Sequence, residues 1–349
     1  MTHEFYIKRC LQIAKNGLGT SRPNPSVGAV VVYQNKIIGE GFTSSYGGNH
    51  AEVNAINSVK DTSLLKEATI YVTLEPCAHF GKTPPCADLI VKHQIKNVVI
   101  GCVDSNSLVA GKGIERLKNA GINVKVGVLE NECKAHHKRF FTVQEKKRPF
   151  IILKWAETKD GFIAPNFKNE QKPVWISNPY SQQLVHKLRS KEHAILLGTN
   201  TVSADNPQLN VRSWFGENPV RIVLDRNLRL PKDLNVFDQS VKTIVITEKN
   251  KDDCHCKHSE AISLETINFS NNIASQICNV LYKHQIQSVI IEGGSQTLQA
   301  FIDANLWDEA NVFVGNSVFK EGLKAPIFNK IITKKINIKT DVLNIYKND

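Results

Sequence analysis

The sequence predicts two α/β domains in tandem, the first over residues 1–145 and the second over 146–349. Three observations carry that reading. A chain of 349 residues is long enough for about two hydrophobic cores of ordinary domain size. In both halves short apolar runs of strand type alternate with amphipathic helical patterns, which points to layered α/β domains with a mostly parallel sheet. The charged, apolar-poor stretch EKKRP (Glu145 to Pro149) interrupts the alternation and ends in Pro, marking the boundary.

The opening MTHEFYIKRCLQIAKNG reads as an amphipathic helix with Phe5, Cys10, Ile13 and Ala14 on or near one face. VGAVVVY from Val27, a turn at Gln34-Asn35-Lys36 and IIGEG from Ile37 form a β-hairpin pattern. Helix and strand patterns then follow in turn: HAEVNAINSV, TIYVTL, CADLIVKHQ, NVVIGC, GIERLKNA, INVKVGV and a last helix near Glu130 to Phe141. The second half runs FIILKWA, VWIS, the helix YSQQLVHKLRS, then HAILLG, PVRIVLD, KTIVIT and QSVIIEGGSQTLQAFIDANLWDEANVFV. Lys249 to Ser259 is a polar insertion, expected as a surface loop; its Cys254-His255-Cys256 has no nearby fourth ligand for a designed metal site.

The sharpest chemistry lies in the first half. His50 and Glu52 open a helix in HAEV, Cys77 follows the strand TIYVTL in LEPC, and Cys86 starts the next helix. A His, a nearby non-ligand Glu and two Cys introduced by a Pro-Cys pair are what a hydrolytic zinc deaminase needs. Three protein ligands leave a fourth tetrahedral position for water, whose pKa the metal lowers toward neutrality. Glu52 is then placed to take that water's proton and deliver it to the departing amine. Ordinary buried thiols and a structural His are the bland alternative, since the chain holds eight Cys. A closed structural zinc site would need a fourth ligand, and His79 stands too close to Cys77 to serve easily. The second Cys comes after GKTPPC instead of at C-x-x-C spacing, which narrows the family.

In the second half, VIIEGGSQTLQAF places Glu292 and two Gly where a buried-type strand meets a helix. Such a turn either lets backbone N–H groups approach phosphate or is simply a tight connection. It is not G-x-G-x-x-G, so a standard Rossmann cofactor site is unsupported. GTNTVSADNPQLNVR (Gly198 to Arg212) adds Thr, Asp and Asn side chains and Arg212 as a phosphate fork. From the residues alone this half is a phosphate- or nucleotide-binding domain.

Lys and Arg total 44 against 33 Asp and Glu, a net charge of +11. Up to Glu145 there are 17 basic and 12 acidic residues, so +5 falls in the first half and +6 in the remainder. No tail or half concentrates the charge, and phosphorylated small substrates are expected in preference to nucleic acid. No apolar run reaches membrane-spanning length and the N-terminus lacks a signal-peptide pattern, so a cytoplasmic protein with reduced Cys is expected.

PNPSVGAVVV, HAEV, YVTLEPCAHFGKTPPCADLI, VAGKGIERLKNAGI, KWAETKDGFIA, GTNTVSADNPQL, PVRIVLD and IIEGGS together resemble the bifunctional deaminase-reductases of riboflavin biosynthesis, RibD type, over almost the whole chain. The resemblance implies a cytidine-deaminase-like α/β/α layered domain followed by a dihydrofolate-reductase-like α/β domain, with Zn²⁺ and NADPH as cofactors and a homo-oligomeric assembly. It puts zinc on His50, Cys77 and Cys86 and the proton shuttle on Glu52. Asn24, His79, Lys82, Asp104 and Asn106 fall where the family holds the pyrimidine and ribose phosphate of the first substrate. Ala156, Trp175, Thr201, Asp205 and the stretch Gly294, Ser295, Gln296, Thr297 and Leu298 correspond to NADPH contacts. Arg226, which follows PVRIVLD, is a candidate partner for the extra phosphate of NADPH. Arg189, Leu209, Arg212 and Glu292 correspond to contacts with the second substrate. Lys154 sits beside the hydride-transfer position, either as proton donor or as half of a structural ion pair.

The implied chemistry is deamination of a diaminopyrimidinone ribosyl phosphate, followed by ring opening and NADPH-dependent reduction of the ribosyl to a ribityl chain. Departures from the family pattern are Thr43 where a His is often found, DSNS (Asp104 to Ser107) for DPNP, Lys159 for Leu, Pro173 for Ser and Lys320-Glu321 for a Gly pair. The competing function is a nucleoside or tRNA-base deaminase with an inactive second half. The longer Cys spacing and the even charge argue against it.

Overall fold

The computed structural model describes residues 1–80, 84–105, 110–167, 170–249 and 261–348. They form two compact units, Met1–Lys147 and Arg148–Asp349.

The first unit begins with α1 (His3–Ala14), which buries Tyr6, Ile7, Cys10, Ile13 and Ala14. Tyr6, Cys10 and Ile13 recur at helical spacing and set the buried face. Phe5 lies outside it: the side chain is 49% exposed, contrary to the expectation from sequence, and stands edge-on to Tyr6. The hairpin is β1 (Gly28–Tyr33) and β2 (Lys36–Phe42), joined by Gln34 and Asn35, both at positive φ. That backbone twist suits a two-residue hairpin connection.

Then come α2 (Ala51–Asn57), β3 (Thr69–Leu74), α3 (Cys86–Lys92), β4 (Asn97–Cys102), α4 (Lys112–Asn119) and β5 (Asn123–Val126). The predicted final helix is two helices, α5 (Glu130–His136) and α6 (Lys138–Lys146). They break at His137, whose buried imidazole reaches Thr73 Oγ1 at 3.1 Å. Among the described residues the sheet runs β2-β1-β3-β4-β5. It is mixed instead of mostly parallel, because β1 pairs antiparallel with both β2 and β3, while β3-β4 and β4-β5 are parallel.

The second unit runs β6 (Phe150–Glu157), β7 (Phe162–Ala164), α7 (Pro179–Arg189), β8 (Ala194–Gly198), α8 (Thr199–Asp205), β9 (Val220–Leu224), β10 (Thr243–Thr247) and β11 (Ile262–Thr266). It continues with α9 (Ile273–Lys283), β12 (Ser288–Gly293), α10 (Ser295–Asp303), β13 (Glu309–Val314), β14 (Leu323–Lys324), β15 (Lys334–Ile338) and β16 (Asp341–Lys347).

Among the described residues its main sheet is β11-β10-β9-β8-β12-β6-β13-β16-β15, parallel from β11 to β13 and antiparallel at β16 and β15. Alternate residues feed different cores: Ala194, Leu196, Ile222 and Ile291 pack on one face, Ile195, Leu197, Val223 and Ile290 on the other. Burial on both faces is why these strands read as unbroken apolar runs.

VWIS is not a strand: Val174 and Trp175 are exposed and the segment lines a cavity. The polar insertion, apart from Lys249, lies outside the described residues, as does its Cys254-His255-Cys256.

Candidate active sites

In the first unit the end of β3 and the starts of α2 and α3 converge. His50 is the extended residue that precedes α2, Cys77 follows β3 by three residues, and Cys86 is the first residue of α3. His50 Nδ1 lies 3.6 Å from Cys77 Sγ and 3.4 Å from Cys86 Sγ, and all three donor atoms lie within 4.8 Å of one another. Zinc bonds of about 2.1 Å to nitrogen and about 2.3 Å to sulfur, directed tetrahedrally, place N and S donors roughly 3.5 Å apart. The donor set therefore fits zinc, and among the described residues it is the sole such group found, with His79 outside it.

The Cys86 thiol is the largest influence holding Cys77 down to about 4; burial opposes it, and His50 and the Cys86 backbone N–H add to it. The same thiol pairing and burial push Cys86 up. Glu52, one residue into α2 and 4% exposed, is raised to about 7 by burial first and then by the Cys77 charge. A carboxyl so placed is suited to gain and lose a proton near neutrality.

Of the residues expected at the first substrate, Asn24 is half-buried, His79 exposed and Asp104 buried just beyond β4. Lys82 and Asn106 lie outside the described residues. Thr43 is buried, its Oγ1 accepting the Val27 N–H at 2.9 Å, so it has a structural place between the β1 and β2 ends.

In the second unit the expected residues meet around one cavity of roughly 1220 Å³. Lys154 and Ala156 come from β6, Arg189 from α7, Thr201 and Asp205 from α8, and Glu292 from β12; Gly294, Ser295, Gln296, Thr297 and Leu298 form the turn into α10 and its start. Trp175, Leu209, Arg212 and Arg226 line the same cavity from the connecting segments.

The carboxylate of Glu292 lies between two cations. Arg189 donates from Nη2 to Oε2 at 2.7 Å and from Nε to Oε1 at 3.3 Å, and Lys154 Nζ stands 3.8 Å from Oε1. Burial pushes Glu292 up, yet Arg189 and Lys154 hold it at about 2. Burial lowers Lys154, against the pull of Glu292.

The Gly293-Gly294 turn has a packing role: Gly294 sits at φ 35° and its N–H donates to Thr201 Oγ1 at 2.9 Å. A Cβ on Gly293 would stand 3.0 Å from Thr201 Cγ2. Arg226 pairs with Glu248 at 2.7 Å on the cavity rim.

Sequence reasoning passed over two residues, His186 in this unit and Glu75 in the first. His186 Nδ1 accepts the Arg212 N–H at 3.4 Å, and burial followed by the Arg189 and Arg212 charges holds the imidazole down to about 4. Its spacing of three from Arg189 on a helix was the available signal. Glu75, between TIYVTL and Cys77, is buried at 4% exposure, and a carboxylate inside such a motif was the signal there.

The family profile described as the cytidine and deoxycytidylate deaminase zinc-binding region matches residues 1–102, and that described as the RibD C-terminal domain matches 149–327. A zinc-binding deaminase domain followed by a reductase domain defines a bifunctional hydrolase and oxidoreductase. The chain is 41% identical to "Riboflavin biosynthesis protein RibD" of Aquifex aeolicus, over 91% of this chain and 88% of that one, and 33% identical to the protein of the same name from Escherichia coli, over 90% and 88%. It superposes on the diaminohydroxyphosphoribosylaminopyrimidine deaminase/5-amino-6-(5-phosphoribosylamino)uracil reductase of Thermotoga maritima with TM-score 0.89 at 38% identity, covering 99% and 98% of the two chains. The chain belongs to the RibD family, the deaminase-reductases of riboflavin biosynthesis, with Zn²⁺ and NADPH as cofactors.

Proposed function

We propose that a deaminase domain over residues 1–145 converts 2,5-diamino-6-ribosylamino-4(3H)-pyrimidinone 5′-phosphate to its aminouracil. A reductase domain over 146–349 then turns the ribosyl group into a ribityl chain. The carrying observation is the His50, Cys77 and Cys86 donor set with buried Glu52 beside it.

His50, Cys77 and Cys86 would hold the zinc, which when bound polarises a water and favours its deprotonation. Glu52 accepts that proton as the water oxygen adds to the amine-bearing ring carbon, then returns it to the amine nitrogen, so that the C–N bond breaks and ammonia leaves. Asn24, His79, Lys82, Asp104 and Asn106 contact the pyrimidine and its ribose phosphate in this reading.

In the second reaction the ribose ring opens to an imine; its carbon takes hydride and its nitrogen a proton. NADPH supplies the hydride when bound. Lys154 gives the proton, and the Glu292 carboxylate at 3.8 Å holds the ammonium in place. Arg189, Leu209, Arg212 and Glu292 hold the substrate. Ala156, Trp175, Thr201, Asp205 and the Gly294 to Leu298 turn hold the cofactor, with Arg226 at its extra phosphate. Their convergence on one cavity supports these roles. The even spread of charge supports small phosphorylated substrates in preference to polynucleotide. Free thiols at Cys10, Cys102, Cys133 and Cys278 accord with a reducing, cytoplasmic setting.

The test is incubation of the zinc-loaded chain with the diaminopyrimidinone and product identification by mass. Without NADPH the product should have one amino group replaced by oxygen; with NADPH it should carry two further hydrogens. Ammonia release from a polynucleotide, with none from the pyrimidine phosphate, would favour the rival base deaminase.

A further inference from the structure

Glu75 lies two residues before Cys77, and the deamination step above makes no use of it. Its N–H donates to the Cys102 carbonyl at 3.0 Å, which places it at the carboxyl end of β3 beside β4. Ligands of open α/β sheets bind outside such strand ends. Its carboxylate accepts four backbone N–H groups. Oε2 takes those of Asp104 at 3.3 Å and Gly111 at 3.0 Å, and Oε1 those of Gly113 at 2.9 Å and Ile114 at 3.1 Å. The last three belong to the start of α4, where N–H groups have no partner within the helix.

The approach is close. A Cβ on Gly113 would stand 1.9 Å from the Pro76 carbonyl oxygen, which accounts for a Gly at that point of VAGKGIERLKNAGI. One turn on, Arg116 donates to the Ala78 carbonyl at 3.2 Å and to Asp88 of α3 at 2.8 Å. The chain is thus tied to α4 on both sides of Cys77, by Glu75 before it and Ala78 after it.

We propose that Glu75 is a positioning residue for deamination: it ties the Asp104 backbone and the first turn of α4 to the strand end that carries Cys77, and so sets the pyrimidine-binding side of the site relative to the zinc ligands. The inference rests on the deaminase reading and on Asp104 as a substrate contact. An ionised carboxylate is acceptor-only, with about four lone-pair sites for the four donors. Glutamine in its place turns an NH₂ toward two of those donors, and aspartate keeps the acceptor chemistry with shorter reach.

The test uses the full zinc-loaded chain and its Glu75→Gln and Glu75→Asp variants. Metal content, KM and kcat for ammonia release, and NADPH oxidation on already deaminated substrate are measured for each. Both variants should keep zinc and oxidise NADPH as the unmodified chain does. For Glu75→Gln the KM for the pyrimidine should rise about tenfold or more, because binding must then supply the ordering of Asp104 and α4 that the hydrogen bonds to the carboxylate supplied, with Glu75→Asp between the two. Amide exchange at Gly111, Gly113 and Ile114 should quicken in Glu75→Gln.

An unchanged KM in a less stable Glu75→Gln protein makes Glu75 a helix cap only and overturns the proposal, as does loss of zinc from that variant. Should Glu75→Gln not fold, the KM of Glu75→Asp decides by rising or not. An unmodified chain that releases no ammonia overturns the deaminase reading and the inference with it, a result distinct from an active chain whose Glu75 variants are unaffected.

Discussion

Arg189 of α7 and Glu292 of β12 form a two-pronged ion pair with N–O distances of 2.7 and 3.3 Å, both side chains nearly sealed from solvent. Removing Arg189 leaves the buried Glu292 carboxylate with Lys154 alone, 3.8 Å away, so the cost falls below that of a buried charge left wholly unpaired, about 3–5 kcal/mol. Arg189→Met should therefore lower the thermal midpoint of the protein and abolish NADPH oxidation. Zinc content should stay unchanged, because every zinc donor lies in the other unit. Calorimetry with metal analysis checks this; a midpoint equal to that of the unmodified chain would show that the pair contributes nothing net.

His186 makes stability pH-dependent. Its folded-state pKa is lowered to about 4 from an ordinary value of 6.5, first by burial and then by Arg189 and Arg212. In that window the unfolded chain binds a proton that the folded chain refuses, so the stability His186 contributes is present above about pH 6.5 and is lost as pH falls toward about 4. His186→Asn keeps an acceptor for the Arg212 N–H without the titration. Denaturant unfolding from pH 7 to 4 should show a shallower loss for the variant than for the unmodified chain, and parallel curves would remove His186 as the cause.

Cys86→Ser should strip the zinc, since the site keeps only His50 and Cys77 from its three donors. Glu52→Gln should keep the zinc and lose deamination by about 10²–10⁴-fold, the contribution of a general acid and base. Both variants should oxidise NADPH on already deaminated substrate at near the unmodified rate. Metal analysis and the two assays run side by side check this. Undiminished zinc in Cys86→Ser removes Cys86 from the site, and retained deamination in Glu52→Gln removes Glu52 as the shuttle.

Arg226 stands on the cavity rim with its charge shared by Glu248 at 2.7 Å. Arg226→Ala should raise the KM for NADPH more than that for NADH, because only NADPH carries the extra phosphate. Equal effects on the two cofactors leave Arg226 as a partner of Glu248 alone.

Much of the deaminase centre was legible as text, because its donors sit at fixed offsets from local elements. His50 and Glu52 share the start of α2, and Cys77 and Cys86 bracket one short connection between β3 and α3. The proposed reductase centre was legible from the residues only as a phosphate- or nucleotide-binding half, through the Gly293-Gly294 turn and Gly198 to Arg212, and its individual roles only through resemblance. Its residues come from β6, α7, α8, β12, α10 and the segments between them, and no spacing in the sequence announces that they face one cavity.

The alternation of strand and helix was set by the sequence alone, since hydrophobic period is a local property. Partner choice and burial are not local, and the tertiary structure decided them. β1 lies antiparallel to β3, which makes the first sheet mixed. The imidazole of His137 lies in the core against Thr73 at the point where what reads as one helix becomes two. VWIS, apolar enough for a strand, becomes cavity wall instead. Glu75 shows the same division: its identity is written beside Cys77, but the four N–H groups that it accepts come from residues 29 to 39 positions away. Only the pairing of β4 with β3, for Asp104, and the packing of α4 against the end of β3, for the other three, bring them to it.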